Sequence, residues 1–124
     1  MEWVSMSAKE YRQQFGKKNK YHAQKTELNG IQFDSRKEAT VYQKLQNLER
    51  SSIISNLRRQ IRFELVPKQK DERPVYYVAD YVFEQDGKTV IADCKSAMTK
   101  KLPAYIIKRK IFKFRYPEYE FREL

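Results

Sequence analysis

Two aspartates and a lysine are the residues of this sequence best suited to chemistry: Asp80, in Val78-Ala79-Asp80, and the pair Asp93 and Lys95, in Asp93-Cys94-Lys95. Two carboxylates held together repel one another, at roughly 4 Å and an effective dielectric near 20 by about 4 kcal/mol. A divalent cation reverses that sign. Mg²⁺ is held by one or two carboxylates together with substrate phosphate oxygens, so an aspartate pair beside basic residues suits it, with Mn²⁺ the expected substitute. The chain has one histidine, His22, and one cysteine, Cys94, which excludes an internal disulfide, a Cys/His zinc site and any catalytic plan needing two histidines. Carboxylates, lysine and hydroxyls are what remain.

The element that must position the pair is a β-hairpin. Glu84-Gln85-Asp86-Gly87-Lys88 contains Asp-Gly, the preferred pair for a two-residue type I′ turn. If Asp86 and Gly87 form the loop, Gln85 faces Lys88, and counting back along both strands puts Asp80 opposite Asp93. Opposed side chains have Cβ atoms about 4.5–5.5 Å apart. The two-residue period puts Lys95 on the face of Asp93, about 7 Å along the strand, and turns Cys94 to the other face. Val78, Val82 and Ile91 are expected on the aspartates' face, which argues against the plainer reading, two solvated acids with Lys95 neutralising one. A three-residue turn would shift the register by one and separate the carboxylates.

Around the hairpin the pattern predicts further elements. Asn29-Gly30 reads as a tight turn between two short strands, after a polar, lysine-rich segment 1–24 that has room for a short helix from Ser7 to Phe15. A helix is predicted from Ser35 to about Arg50, with Val41, Leu45 and Leu48 as its apolar stripe. Ser35-Arg36-Lys37-Glu38 has the form of a capping box. Glu38 also falls on that stripe, where a buried acid needs a partner, so it reads as a cap, as a site residue, or as both. Strands are predicted at about 57–66, 75–84 and 88–95, and a last one at 119–122. Before that last strand, a helix from Thr99 to Tyr116 has Pro103 in its first turn and Ala104, Ile107, Ile111 and Phe114 as its docking face. The order is α/β, a mixed sheet flanked by helices.

The length, 124 residues, suits one domain, and the net charge of +10 attracts polyanions. Residues 96–124 hold 8 basic and 3 acidic residues, and the predicted second helix carries Lys100, Lys101, Lys108, Arg109, Lys110, Lys113 and Arg115 with no acid. Solvated helix faces usually mix signs, so this helix is expected to hold DNA phosphates. Such contacts position without reading sequence. Lys108, next to Ile107, is further expected to reach toward the metal site. The most apolar run, Val75–Phe83, is interrupted by Asp80 and far short of the roughly 20 residues of a spanning helix. With no basic-then-apolar start, a cytoplasmic location is expected.

Taken together these features resemble the PD-(D/E)XK nuclease superfamily, most of all its small phage-borne members related to Holliday junction resolvases and Mrr-type restriction domains. Phe33-Asp34-Ser35-Arg36-Lys37-Glu38 resembles the family's first-helix acid, Ala79-Asp80 its P-D, Asp93-Cys94-Lys95 its (D/E)-x-K, and Gln60 a glutamine near the site. Ala79 replaces the name-giving proline, Asp93 takes the less common acid, and Ser96 stands where glycine is expected. The resemblance implies a restriction-endonuclease-like αβββαβ core over residues 20–124 and Mg²⁺-dependent phosphodiester hydrolysis. It also implies that Asp80, Asp93, the Cys94 backbone carbonyl and Glu38 hold the metal, and that Lys95 and Gln60 complete the site.

The leading expectation is a metal-dependent DNA endonuclease acting on branched or recombining phage DNA, as a homodimer if it resolves junctions. The alternatives are a non-catalytic nucleic-acid-binding module on the same fold, and a basic protein that binds an acidic partner or a membrane surface through the 100–115 helix.

Overall fold

A computed structural model describes residues 25–28 and 30–124. The predicted helix at Ser7–Phe15, the remainder of segment 1–24 and Asn29 lie outside the described residues. The chain divides into two compact units, 1–39 and 40–124.

In the first unit, β1 (Thr26–Leu28) and β2 (Ile31–Phe33) pair antiparallel, with Leu28 facing Ile31 across a turn where Gly30 takes a φ of +81°. Helix α1 (Arg36–Arg50) begins here, and the Glu38 N–H donates to Ser35 Oγ at 3.1 Å, so Ser35 is the cap that its position predicts.

The second unit contains a four-stranded sheet in the order β3 (Ser55–Val66), β4 (Val75–Gln85), β5 (Lys88–Asp93), β6 (Glu120–Glu123). The first two pairings are antiparallel and β5–β6 is parallel, so the sheet is mixed. A parallel return requires a crossover, supplied by a short 3₁₀ turn (Thr99–Lys101) and helix α2 (Pro103–Arg115). The two strand faces pack differently. Leu45, with Val41, Tyr42 and Leu48 of α1, packs on Tyr81, Phe83, Val90, Ala92 and Cys94. Tyr105 and Phe112 of α2 pack with Leu65, Tyr77, Ala79, Val82 and Ile91.

The α2 docking face differs from expectation. Ile107 and Phe114 point to solvent, at 56% and 85% exposure, and Ala104 is exposed as well. Tyr105 and Phe112, seven residues apart, are the buried pair. The helix carries two apolar stripes, and the one with the larger rings wins because an aromatic side chain removes about 150–250 Å² from water. Arg109 disguised that stripe as surface. It lies one turn from Tyr105, its guanidinium 5.8 Å from the ring centroid, and pairs with Glu123 at 3.8 Å. Two further expectations need correction: Lys100 and Lys101 belong to the 3₁₀ turn rather than to the helix, and Lys95 lies two residues beyond the end of β5.

Candidate active site

The hairpin that determines the site is built as its turn residues require. Asp86 and Gly87 have φ of +52° and +77°, both left-handed, and Gln85 faces Lys88. The register continues through Val82 opposite Ile91 to Tyr81 opposite Ala92, where the ladder ends, and Asp80 and Asp93 come directly next to that last pair.

Their side chains converge with that of Lys95. Lys95 Nζ lies 3.5 Å from Asp80 Oδ2 and 3.3 Å from Asp93 Oδ1. Asp80, 5% exposed, also accepts the Cys94 N–H at 2.8 Å on Oδ2 and Gln60 Nε2 at 3.4 Å on Oδ1. Asp93 is fully buried; its Oδ2 accepts the Tyr77 hydroxyl, and its backbone carbonyl accepts the Leu124 N–H at 2.8 Å. Oδ1 of Asp93 is buried and faces the Lys95 ammonium.

Tyr77 is a site residue that the sequence pattern hides. Three residues before Asp80, it should point to the opposite face of the strand. Instead Tyr77 and Ala79 pack with Val82 on the α2 side, whereas Tyr81 and Phe83 pack on the α1 side, so the odd positions change sides at Asp80. The irregularity shows in the neighbouring strand as well. Gln60 sits between Arg59, which faces Tyr81, and Ile61, which faces Ala79, and it has a φ of +53°. For a residue with a Cβ that conformation costs roughly 1–2 kcal/mol. It sets the Gln60 amide against Asp80. The same break leaves Val78, expected among the buried neighbours, 39% exposed.

The electrostatics follow from burial. Burial, together with hydrogen bonding to the neighbouring Asp80 carboxyl, pushes the Asp93 carboxyl up to about 7, although Lys95 opposes the shift. Burial acts to lower the Lys95 ammonium, but Asp80 and Asp93 outweigh it and the net shift is upward. The Tyr77 hydroxyl is raised by burial and by the Asp93 carboxylate it faces, so it stays a donor. Near pH 7 the Asp93 carboxyl is therefore poised between its protonated and ionised forms.

A consequence for stability has a definite sign. A carboxyl whose folded-state value exceeds its unfolded value of 3.8 favours the fold at low pH, and that contribution is lost as pH rises toward 7. The metal-free protein is expected to lose stability between about pH 4 and 7, and Asp93→Asn to flatten this slope. Urea midpoints across that range measure it. Lys95 does not contribute in this window, because a raised lysine loses its stabilisation only above its ordinary value of 10.5.

Among the described residues no set of three or more His, Cys, Asp and Glu side chains is gathered to hold a metal. The aspartates contribute two carboxylates, and a hard divalent cation that takes its remaining ligands from water or phosphate fits such a donor pair. Glu38 lies in the first turn of α1, 8% exposed, and is described with the first unit. Ser96 does what a turn-forming residue must: its Oγ accepts the Thr99 N–H at 3.1 Å and its carbonyl the Lys100 N–H at 3.0 Å.

The proposed DNA-facing cations are not equivalent. Lys101, Lys108, Lys110 and Lys113 are exposed, Lys100 is half-buried, and Arg109 is half-buried in its pair with Glu123. Lys108 does not reach the aspartates, because the Ile107 beside it faces outward; among the described residues, Lys95 is the cation that ion-pairs with Asp80 and Asp93. No described helix is long and apolar enough to cross a membrane.

Comparison with curated proteins and with solved structures finds no match. Residues 18–123 match the family described as "Protein of unknown function (DUF1064)", a span that includes the whole sheet and the Asp80–Asp93–Lys95 group, and the chain belongs to that family.

Proposed function

We propose that the chain is a Mg²⁺-dependent DNA endonuclease built on a PD-(D/E)XK-like αβββαβ core, acting on branched or recombining DNA, phage DNA in particular. The observation that carries this reading is the convergence of two buried carboxylates, Asp80 and Asp93, bridged by the Lys95 ammonium at 3.5 and 3.3 Å. Burying two carboxylates side by side is costly, and such a cost is retained where the groups have work to do.

Asp80 and Asp93, with the Cys94 carbonyl, would hold the metal. When bound, Mg²⁺ makes a water more acidic and offsets charge on a phosphoryl oxygen. Lys95, pinned between the two carboxylates, holds its ammonium where it can orient the attacking water or offset developing charge. The Cys94 N–H and the Gln60 amide hold Asp80, and the Tyr77 hydroxyl holds Asp93, so neither carboxylate is free to swing. The exposed lysines of α2 would track the phosphate backbone without reading bases. Resolution of a junction would require two such sites about a two-fold axis, hence a homodimer.

Purified protein incubated with junction, flap, duplex and single-stranded oligonucleotides is expected to cleave at least one with Mg²⁺ or Mn²⁺ and none with EDTA. Binding without cleavage under every metal condition would overturn the enzymatic reading in favour of a non-catalytic module.

A further inference from the structure

We infer that the outward face of α2 binds single-stranded nucleic acid, with an unpaired base stacked on Phe114 and the flanking phosphates held by Lys108 and Lys110. The inference rests on the nucleic-acid reading above and specifies the form of the substrate.

Phe114 is 85% exposed, the most exposed of the large apolar side chains described, in a helix whose opposite pole buries Tyr105 and Phe112. Ile107, two turns earlier on the same side, is 56% exposed. Lys110 lies one turn from Phe114 and is exposed, as is Lys108; neither has an ion-pair partner among the described residues. From Pro103 to Arg115 the helix has no acid at all. This field repels a second copy of the same face and selects a polyanion. The apolar part selects among polyanions. Phe114 stands on the convex pole of a helix, so the anchoring side chain of an acidic peptide finds no groove there. A flat base needs none: stacking on an exposed ring, beside cations that hold the backbone, is how unpaired strands are held without sequence preference. Bases inside a duplex are stacked already and cannot reach the ring.

The test uses the full-length protein in EDTA, which separates binding from cleavage, with a fluorescent oligothymidylate and a blunt duplex of equal length. Phe114→Ala is expected to weaken single-strand binding roughly 5- to 150-fold, the range for loss of one base–aromatic stack, and to change duplex binding less than about twofold. Phe114→Trp is expected to restore affinity, its fluorescence quenched on binding, and Lys110→Glu to weaken both ligands. Unchanged single-strand affinity in Phe114→Ala, or an equal loss for both ligands, would overturn the stacking inference while leaving a duplex-cleaving enzyme intact. Binding of neither oligonucleotide by the wild-type chain would remove the nucleic-acid reading itself. Phe114-dependent binding to phosphatidylserine vesicles, with single-strand binding unaffected, would overturn the inference and assign the face to a membrane surface.

Discussion

Lys95→Ala is expected to reduce DNA cleavage by at least about 100- to 1,000-fold, the range for removal of one preorganised charge-stabilising donor, while leaving DNA binding close to wild type. Among the described residues the ammonium is the one cation within 4 Å of both aspartates, at 3.5 and 3.3 Å, and it is partly withdrawn from water. The lysines of α2, Lys108, Lys110 and Lys113, are exposed and make no ion pair with either aspartate. Asp93→Asn is expected to lose activity to the same degree for the complementary reason. The amide keeps the shape and can still accept from Tyr77, but it lacks the charge that holds a cation. The two variants separate by stability. Asp93→Asn removes a buried charge and should unfold at equal or higher urea above pH 7, whereas Lys95→Ala leaves two buried acids without their counter-ion and should unfold at lower urea. Rates for purified, folded protein decide the matter: near-wild-type cleavage by either variant would end the proposed mechanism.

Phe112→Ala is expected to cost about 3–5 kcal/mol, and Phe114→Ala less than about 0.5 kcal/mol. Phe112 is fully buried, with ring centroids of Phe63, Tyr77 and Tyr116 all 5.1 Å from its own. Its removal opens a cavity that rings held by two strands and a helix cannot collapse to fill. For a chain of 124 residues this corresponds to a fall in Tm of roughly 10–20 °C. Phe112→Ala also loosens Tyr77, which packs on that ring and donates to Asp93, so any residual activity should fall together with stability. Phe114 contacts mainly solvent. Equal melting losses in the two variants, or the reverse order, would show that the helix docks through its other stripe. Because Phe114→Ala is expected to leave the fold intact, it is also a clean probe of binding.

Much of the site was legible because it depends on a turn. Asp86-Gly87 requires two consecutive left-handed residues; that requirement selects the loop length, and the loop length sets the register as far as Tyr81 and Ala92, the pair next to Asp80 and Asp93. Ser35 as a cap and the Val41, Leu45, Leu48 stripe were legible for the same reason: each involves residues within a turn or two of each other. Glu38 was less so. The structure shows it near-buried in the first turn of α1 with its N–H on Ser35, and a cap and a site residue share that description.

What sequence alone determined about this protein, then, is its mixed α/β order, the facing of the two aspartates and the place of Lys95 beside them. The tertiary structure alone decided that Asp93 is fully buried, that Tyr77 comes round to hold it, and that α2 docks through Tyr105 and Phe112 rather than Ile107 and Phe114. The physical reason is range. A turn is governed by the backbone sterics of four residues. Which stripe of a helix is buried, and where a strand changes face, depend on area removed from water against partners far away in the chain, and no local pattern records that area.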